Sequence, residues 1–342
     1  MLNLSPVNSR RAKVFKSNKR AFFSLWLFSF LFFGSLFAEV IANDSPLIVS
    51  YQGSWFFPAV KIYPETNFGG DFETEADYLD PYVTNLIENE GWILWPLIPY
   101  SFDTHSKDLD QPAPSPPSYR HILGTDDQAR DVAARVIYGF RISILFALTL
   151  TFGSTIIGIA AGAVQGYYGG KVDLIGQRFL EVWGSLPVLF LLIILASITT
   201  ANFWWLLGIM LLFSWTSLVD VVRAEFLRCR KLDFVRAARA LGVSDSTIMW
   251  RHILPNAVVA TITMMPFLLT GAIATLTSLD FLGFGLPPGS ASLGELVAQG
   301  KNNLQAPWLA ITAFAVLSAM LTLLVFIGEG VRDAFDPRLN QG

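Results

Sequence analysis

Residues Phe234 to Asn256 read FVRAARALGVSDSTIMWRHILPN, a basic, helix-forming stretch held between two long apolar segments. From Asp233 to Leu241 the chain is rich in Ala, Leu and Arg, which favour helix, and Gly242 can end that helix in the left-handed conformation with little strain. Ser244 or Asp245 offers a cap for a second helix reaching about Trp250, and Pro255 is expected to bend the chain into the next apolar run. The expected object is a helix-turn-helix lying across a membrane surface as a docking platform; the plainer alternative is a solvated amphipathic loop that holds its neighbours in place. His252 alone reads as a loop hydrogen-bonding residue rather than a ligand.

Outward from this stretch, near-uncharged runs occupy residues 21–41, 142–163, 182–198, 203–219, 257–276 and 308–327. Each approaches the roughly 20 helical residues that cross about 30 Å of hydrocarbon, where the backbone must satisfy its own hydrogen bonds. Six transmembrane helices are therefore expected, in a chain that is 53% hydrophobic and only 15% charged. Basic residues orient them. Arg10, Arg11, Lys13, Lys16, Lys19 and Arg20 precede the first run with no acid among them, which predicts a cytoplasmic segment over residues 1–20. Lys171 and Arg178, the seven basic residues between Arg223 and Arg251, and Arg332 with Arg338 then fall on the same side. The run at 21–41 suits a retained anchor better than a cleaved signal peptide, whose apolar core spans only about 7–15 residues, although Val40 and Ala42 would serve a signal peptidase. The single Cys229 excludes a disulfide framework within one chain.

Residues 42–120 are polar, acidic and aromatic, too long for a simple loop, and predict a small extracytoplasmic domain. From Asp44 to Arg130 there are fourteen Asp and Glu against four Lys and Arg, an imbalance suited to the outer face. Tyr51, Trp55, Phe56, Phe57, Tyr63, Trp92 and Trp95 either build its core or bind substrate; a domain this small without disulfides needs buried aromatics. Gln111 to Ser118, QPAPSPPS, predicts an extended connector that separates this insertion from the rest. After it, Gly124, Thr125 and Asp126 read as a turn, with a capped helix starting near Asp127 along the outer surface. Arg130, Asp131 and Arg135 are either solvated face charges or a contact for a substrate-carrying protein.

Ser154, Gly158, Gly162 and Gly166 recur every four residues and so line one helical face, a stripe that permits close helix packing. The glycine-rich GYYGGKVD at 166–173 is not a phosphate loop, and no G-x-x-x-x-G-K-[ST] occurs anywhere. His105, His121 and His252 are scattered without zinc-site spacing, and no nucleophile stands by a base. Glu181, Asp220, Asp280 and Glu329 fall at span ends, which makes them weak proton-relay candidates. Pro187 and Pro266 either kink the third and fifth spans or are absorbed by packing.

Taken together, the GTD turn at 124–126, GYYGG at 166–170, RHILPN at 251–256, SLDFLGFGLPPG at 278–289, APW at 306–308 and RDAFDPR at 332–338 resemble the permeases of the dipeptide/oligopeptide/nickel ABC importer family. Ala237, Ala238, Leu241, Gly242, Leu254 and Pro255 match that family's ATPase-coupling loop, E-A-A-x3-G-x9-I-x-L-P. Arg236 replaces its Glu and His252 its Ile. Ala129 stands where the family pattern GTDxxGRD has Gly. The likeness covers about residues 121–340. The start LSPVNSRRAKVF, the insertion and SWFFP extend it to the Yej-type oligopeptide importer branch.

The resemblance implies an all-α polytopic membrane protein with the type I ABC importer permease fold, residues 121–342 being the permease core and 223–255 its cytoplasmic coupling loop. It implies a second permease subunit, most simply a heterodimer, two ABC ATPase subunits that use ATP and Mg, and a periplasmic peptide-binding protein, in a Gram-negative inner membrane. This chain would bind membrane lipid but no cofactor, metal or nucleic acid of its own. Cargo would be oligopeptides and peptide-like compounds such as microcin C. The rival reading, a membrane-anchored ligand sensor or assembly factor, has no use for an ATPase-docking loop.

Overall fold

A computed structural model describes residues 6–109, 111–198 and 202–336. Leu4 and Arg338, which belong to two of the motifs above, lie outside the described residues. The chain opens with α1 (Pro6–Ser17), α2 (Lys19–Ser35) and α3 (Ala38–Ile41). Asn18 separates the first two and caps α2, its side chain accepting from the Ala21 amide at 3.2 Å.

Between residues 42 and 131 the chain folds into strands β1 (Ile48–Tyr51) and β2 (Ser54–Phe56), a helix α4 (Pro81–Glu90) and strand β3 (Gly91–Leu94). The three strands form an antiparallel sheet in the order β2-β1-β3, a feature that the apolar patterning did not foretell. The remainder is helical: α5 (Val132–Tyr168), α6 (Gly170–Gly184), α7 (Val188–Ser197), α8 (Phe203–Ser214), α9 (Thr216–Cys229), α10 (Asp233–Ala240), α11 (Asp245–Thr247), a π-turn (Ile248–Ile253), α12 (Leu254–Phe281), α13 (Leu293–Asn302) and α14 (Pro307–Phe335).

Among the described residues, three helical runs are long and apolar enough to cross a membrane: Val132–Tyr168, Asp245–Phe281 and Pro307–Phe335. Two bent pairs, α6 with α7 at 71° and α8 with α9 at 41°, bring that number to five. The expected first span, 21–41, is instead divided between the 17 residues of α2 and the short α3.

The breaks have local causes. Pro187 stands at the N-cap of α7, where its missing N–H ends the i→i−4 ladder, so the expected span at 182–198 is not one straight helix. At the α8–α9 bend the Thr216 and Ser217 hydroxyls bond back to the Phe213 and Ser214 carbonyls, both at 2.8 Å, and compete with the backbone. Pro266, by contrast, sits inside the unbroken α12, where Gly328 of α14 leaves room against its ring.

The central core gathers Ile144, Phe146, Leu150, Leu192, Leu206, Ile273, Leu276 and Met320 from α5, α7, α8, α12 and α14. Its organising element is α5, whose 37 residues rise about 55 Å, well beyond the hydrocarbon layer. The insertion packs at one end of this helix and the 233–257 region at the other.

Candidate functional site

The 234–256 stretch forms two helical pieces seated on the C-terminal ends of α5 and α9. Val235 and Ala238 of α10, with Ile248 and Ile253 of the π-turn, are buried against Ala163, Tyr167, Val222, Phe226 and Cys229. These four positions give the loop an apolar underside. Its upper side leaves Arg236, Ala237 and Pro255 exposed, together with Phe234 and Trp250, and Leu241 is 84% exposed. His252 and Leu254 are half-buried, and the His252 carbonyl accepts from the Asn256 side chain at 3.1 Å. Arg236, in the place of the family's Glu, lies 3.9 Å from Asp233 on the solvent side. The helix stop is at Gly242, with φ at +78°, a conformation that most side chains resist.

Ser244 caps the second piece, accepting from the Thr247 amide. The expected bend at Pro255 is absent, and the helix runs on from Asp245 to Phe281. The π-turn explains this. Pro255 cannot donate to residue 251 and its ring crowds that carbonyl, so the backbone widens by one residue just before it, with the Leu254 amide donating to the Met249 carbonyl.

Tyr167, the penultimate residue of α5, ties both pieces to that helix. Its hydroxyl donates to Asp245 at 2.5 Å and accepts from the Arg239 guanidinium at 3.0 Å, while Arg230 donates to the Tyr167 carbonyl at 3.2 Å. Sequence reasoning missed this clamp; the only signal was a tyrosine pair at the end of a glycine stripe. The stripe itself lies against α9. A Cβ on Gly158 would stand 2.8 Å from the Trp215 carbonyl, one on Gly162 2.7 Å from that of Val219, and one on Gly166 2.6 Å from that of Arg223. Ser154 closes the row with a 2.5 Å hydroxyl pair to Ser214. The next turn, GYYGG, takes positive φ at Gly169 and Gly170 and accepts the Arg230 side chain against Gly169. Asp173 and Arg223 form an ion pair across α6 and α9. The 234–256 stretch, α5 and α9 are therefore one packed unit.

At the other end of α5, the sequence motifs converge on a buried charge network. Asp126, Arg130, Asp131 and Arg135 are all at most 1% exposed, so they are neither solvated face charges nor a surface contact. Asp126 pairs with Arg130 at 2.7 Å and lies 3.4 Å from Arg135, and Glu295 of α13 receives one hydrogen bond from each arginine at 3.0 Å. Burial disfavours the Arg130 charge, but the Asp126 and Glu295 carboxylates more than offset it and raise its pKa. The helix begins at Val132, not near Asp127, with Asp131 as its cap, and it is continuous with the membrane run instead of lying along the surface. Ala129 holds φ at +62°, which accounts for the glycine of the family pattern. Gly124 of the GTD turn lies under Trp308 of APW, whose indole donates to the Thr125 carbonyl at 3.2 Å. In SLDFLGFGLPPG, Asp280 ties the turn by accepting from Leu286 N and Ser292 Oγ at 2.7 and 2.6 Å.

The insertion has its own core of Val49, Tyr51, Phe68, Tyr78, Val83 and Ile87, with Phe56, Tyr63 and Trp95 packed against it. Trp55 and Trp92 pair edge to face at its surface, and Phe57 is also exposed. The expected separation of this domain from the core does not hold. Ala42 and Ile98 pack with Ala38, Ala134, Tyr138 and Ala291, and Ser115 of the connector exchanges two 2.9 Å bonds with Thr125. QPAPSPPS is thus stitched to the GTD turn.

Among the described residues no cluster of His, Cys, Asp and Glu is placed to hold a metal ion. The profile of the family described as "Binding-protein-dependent transport system inner membrane component" matches residues 154–341. The chain belongs to this family. It is 59% identical over 337 residues to the inner membrane ABC transporter permease protein YejE of Escherichia coli K12, covering 98% of this chain and 99% of that one. It is 54% identical over 358 residues to the peptidoglycan transport system permease protein YejE of Agrobacterium fabrum, covering 98% and 94%. With the oligopeptide transport system permease protein OppC of Lactococcus lactis (strain IL1403) it shares 34% identity over 222 residues, 64% of this chain and 76% of that one. The protein is a Yej-type ABC importer permease, mostly helical and multi-pass, of the inner membrane.

Proposed function

We propose that this permease forms half of the pore of an ATP-driven importer that carries oligopeptides and peptide-containing compounds, microcin C among them, from periplasm to cytoplasm. ATP and Mg belong to separate ATPase subunits, which dock on the exposed side of residues 232–255. A second permease completes the pore and a periplasmic binding protein delivers cargo. The observation that carries this reading is the packed unit of coupling stretch, α5 and α9. A displacement of α10 reaches α5 directly through Arg239, Asp245 and Tyr167, and reaches α9 through the close contact along the glycine stripe. A partner that moves the docking face can therefore bias two arrangements of the pore-forming helices, which is the thermodynamic requirement for alternating access. The names of the relatives, peptidoglycan and oligopeptide transport systems among them, support a peptide-containing cargo.

The test is uptake by vesicles reconstituted with both permeases, the ATPases and the binding protein. ATP-dependent accumulation of a labelled tripeptide is expected, and accumulation that ignores ATP or the binding protein would contradict the proposal. The orientation proposed is with both termini and the coupling stretch cytoplasmic and residues 42–120 periplasmic. In a Cys229→Ser background, a cysteine at Ser101 should react with an impermeant thiol reagent in sealed spheroplasts while one at Ser246 stays unlabelled. Labelling of both would refute that orientation.

A further inference from the structure

The N-terminal helix is not a free tail. Phe15 of α1 packs into the space left by Gly330 of α14, the Arg11 guanidinium lies 4.3 Å from the centre of the Phe335 ring, and Asn18 donates to Asp333 at 3.3 Å. Fixed in this way, α1 meets α2 and α14 along an open groove of about 390 Å³. Its floor is apolar, with Phe22, Leu25, Trp26 and Val331, and Arg11 and Lys16 stand at it. Lys16 is exposed, as are Arg10, Lys13, Lys19 and Arg20, and among the described residues none of these five has an ion-pair partner. On α14, Asp333 accepts from the Asn18 amide at 3.3 Å and pairs with none of these cations.

An apolar trough open to the side, with unneutralised cations at its rim, is complementary to one molecule that every membrane supplies. We infer that this groove is a seat for an anionic phospholipid, its phosphate held by Lys16 and Arg11 and one acyl chain lying along Phe22, Leu25 and Trp26. A zwitterionic lipid brings the same phosphate together with a headgroup cation that Lys16 and Arg11 repel, so it fits the trough and is the weaker match to the rim. Neutral burial of the exposed Trp26, at 63% in the protein alone, and electrostatic capture are then supplied by one ligand. The inference does not depend on the cargo.

The experiment is native mass spectrometry of the full chain in detergent, titrated with phosphatidylglycerol or phosphatidylcholine. Phosphatidylglycerol should bind tighter by about tenfold or more, given the usual contribution of a few basic residues at an anionic surface. The double variant Arg11→Gln, Lys16→Gln should abolish that preference while retaining phosphatidylcholine binding, whereas Lys13→Gln with Arg20→Gln, two residues outside the groove lining, should keep it. Lys61→Gln, in the insertion, should change nothing. Equal affinity for the two lipids in the wild type, or an undiminished preference in the Arg11→Gln, Lys16→Gln variant, would overturn the proposal.

Discussion

Replacing Tyr167 by Phe isolates the clamp between the coupling stretch and α5. The ring stays in place, because Tyr167 is only 4% exposed and packs among Ala163, Phe226 and Val235. What disappears is one hydroxyl that donates to Asp245 at 2.5 Å and accepts from Arg239 at 3.0 Å. Hydrogen bonds to charged groups contribute about 1.5–3 kcal/mol each. Arg239 and Asp245 are exposed and recover water when the bond is lost, so each bond is discounted to about 1 kcal/mol. The total of about 2 kcal/mol corresponds to roughly 30-fold in an equilibrium constant. Amide exchange in residues 235–253, followed by mass spectrometry on the assembled transporter, should accelerate by about that factor, while the centre of α5 keeps its protection. The number of ATP molecules hydrolysed per peptide imported should rise, because the docking face then moves partly without α5. Unchanged exchange in the stretch, with normal assembly, would refute the reasoning.

Glu295→Gln should lower stability by about 3 kcal/mol, because it strips a carboxylate from two arginines that are at most 1% exposed. The exposed pair Arg178–Glu181 provides the contrast, and Glu181→Gln should cost less than about 1 kcal/mol in the same thermal melt. Ala129→Gly relieves a left-handed alanine at φ +62° and should raise stability by about 0.5–1 kcal/mol after the unfolded-state entropy is subtracted, readable as a higher melting temperature. At Gly242, where a Cβ meets nothing within 4 Å, the cost of substitution is purely conformational. Asn, which tolerates positive φ, should therefore retain more substrate-stimulated ATP hydrolysis than Val, and an equal loss for both would point to packing instead.

Apolar run length alone led to the three long membrane-length helices and to the two bent pairs, but not to a sixth span at 21–41, because burial in lipid or protein leaves the same uncharged signature. It could not locate their breaks. The bend at Trp215 depends on two hydroxyls choosing carbonyls in their own helix, and the division of 21–41 falls just after Gly34 and Ser35 in a run whose single charge is Glu39. The left-handed stop at Gly242 and the cap at Ser244 were legible since both are local chemistry. Continuation through Pro255 was not, because a π-turn removes the clash that a regular helix would suffer. The charges at 126–135 illustrate the harder limit. Their exposure is decided by Glu295 and Gln299, more than 150 positions away, and Gln299 donates to both Asp126 and Glu295, at 3.4 and 3.1 Å. Nothing in the local pattern distinguishes a buried network from a solvated face. The clamp at Tyr167 was hidden for the same reason, its partners lying 72 and 78 residues further on.

The central claim, that the exposed side of residues 232–255 carries the ATPase, is tested most directly by a photo-activatable residue at Leu241, the most exposed apolar position there. In the assembled transporter it should cross-link to the ATPase subunit, while the same group at Leu97, which is 82% exposed in the insertion, should not. Failure of Leu241 to capture the ATPase in a complex that hydrolyses ATP, or capture from Leu97 instead, would contradict the account.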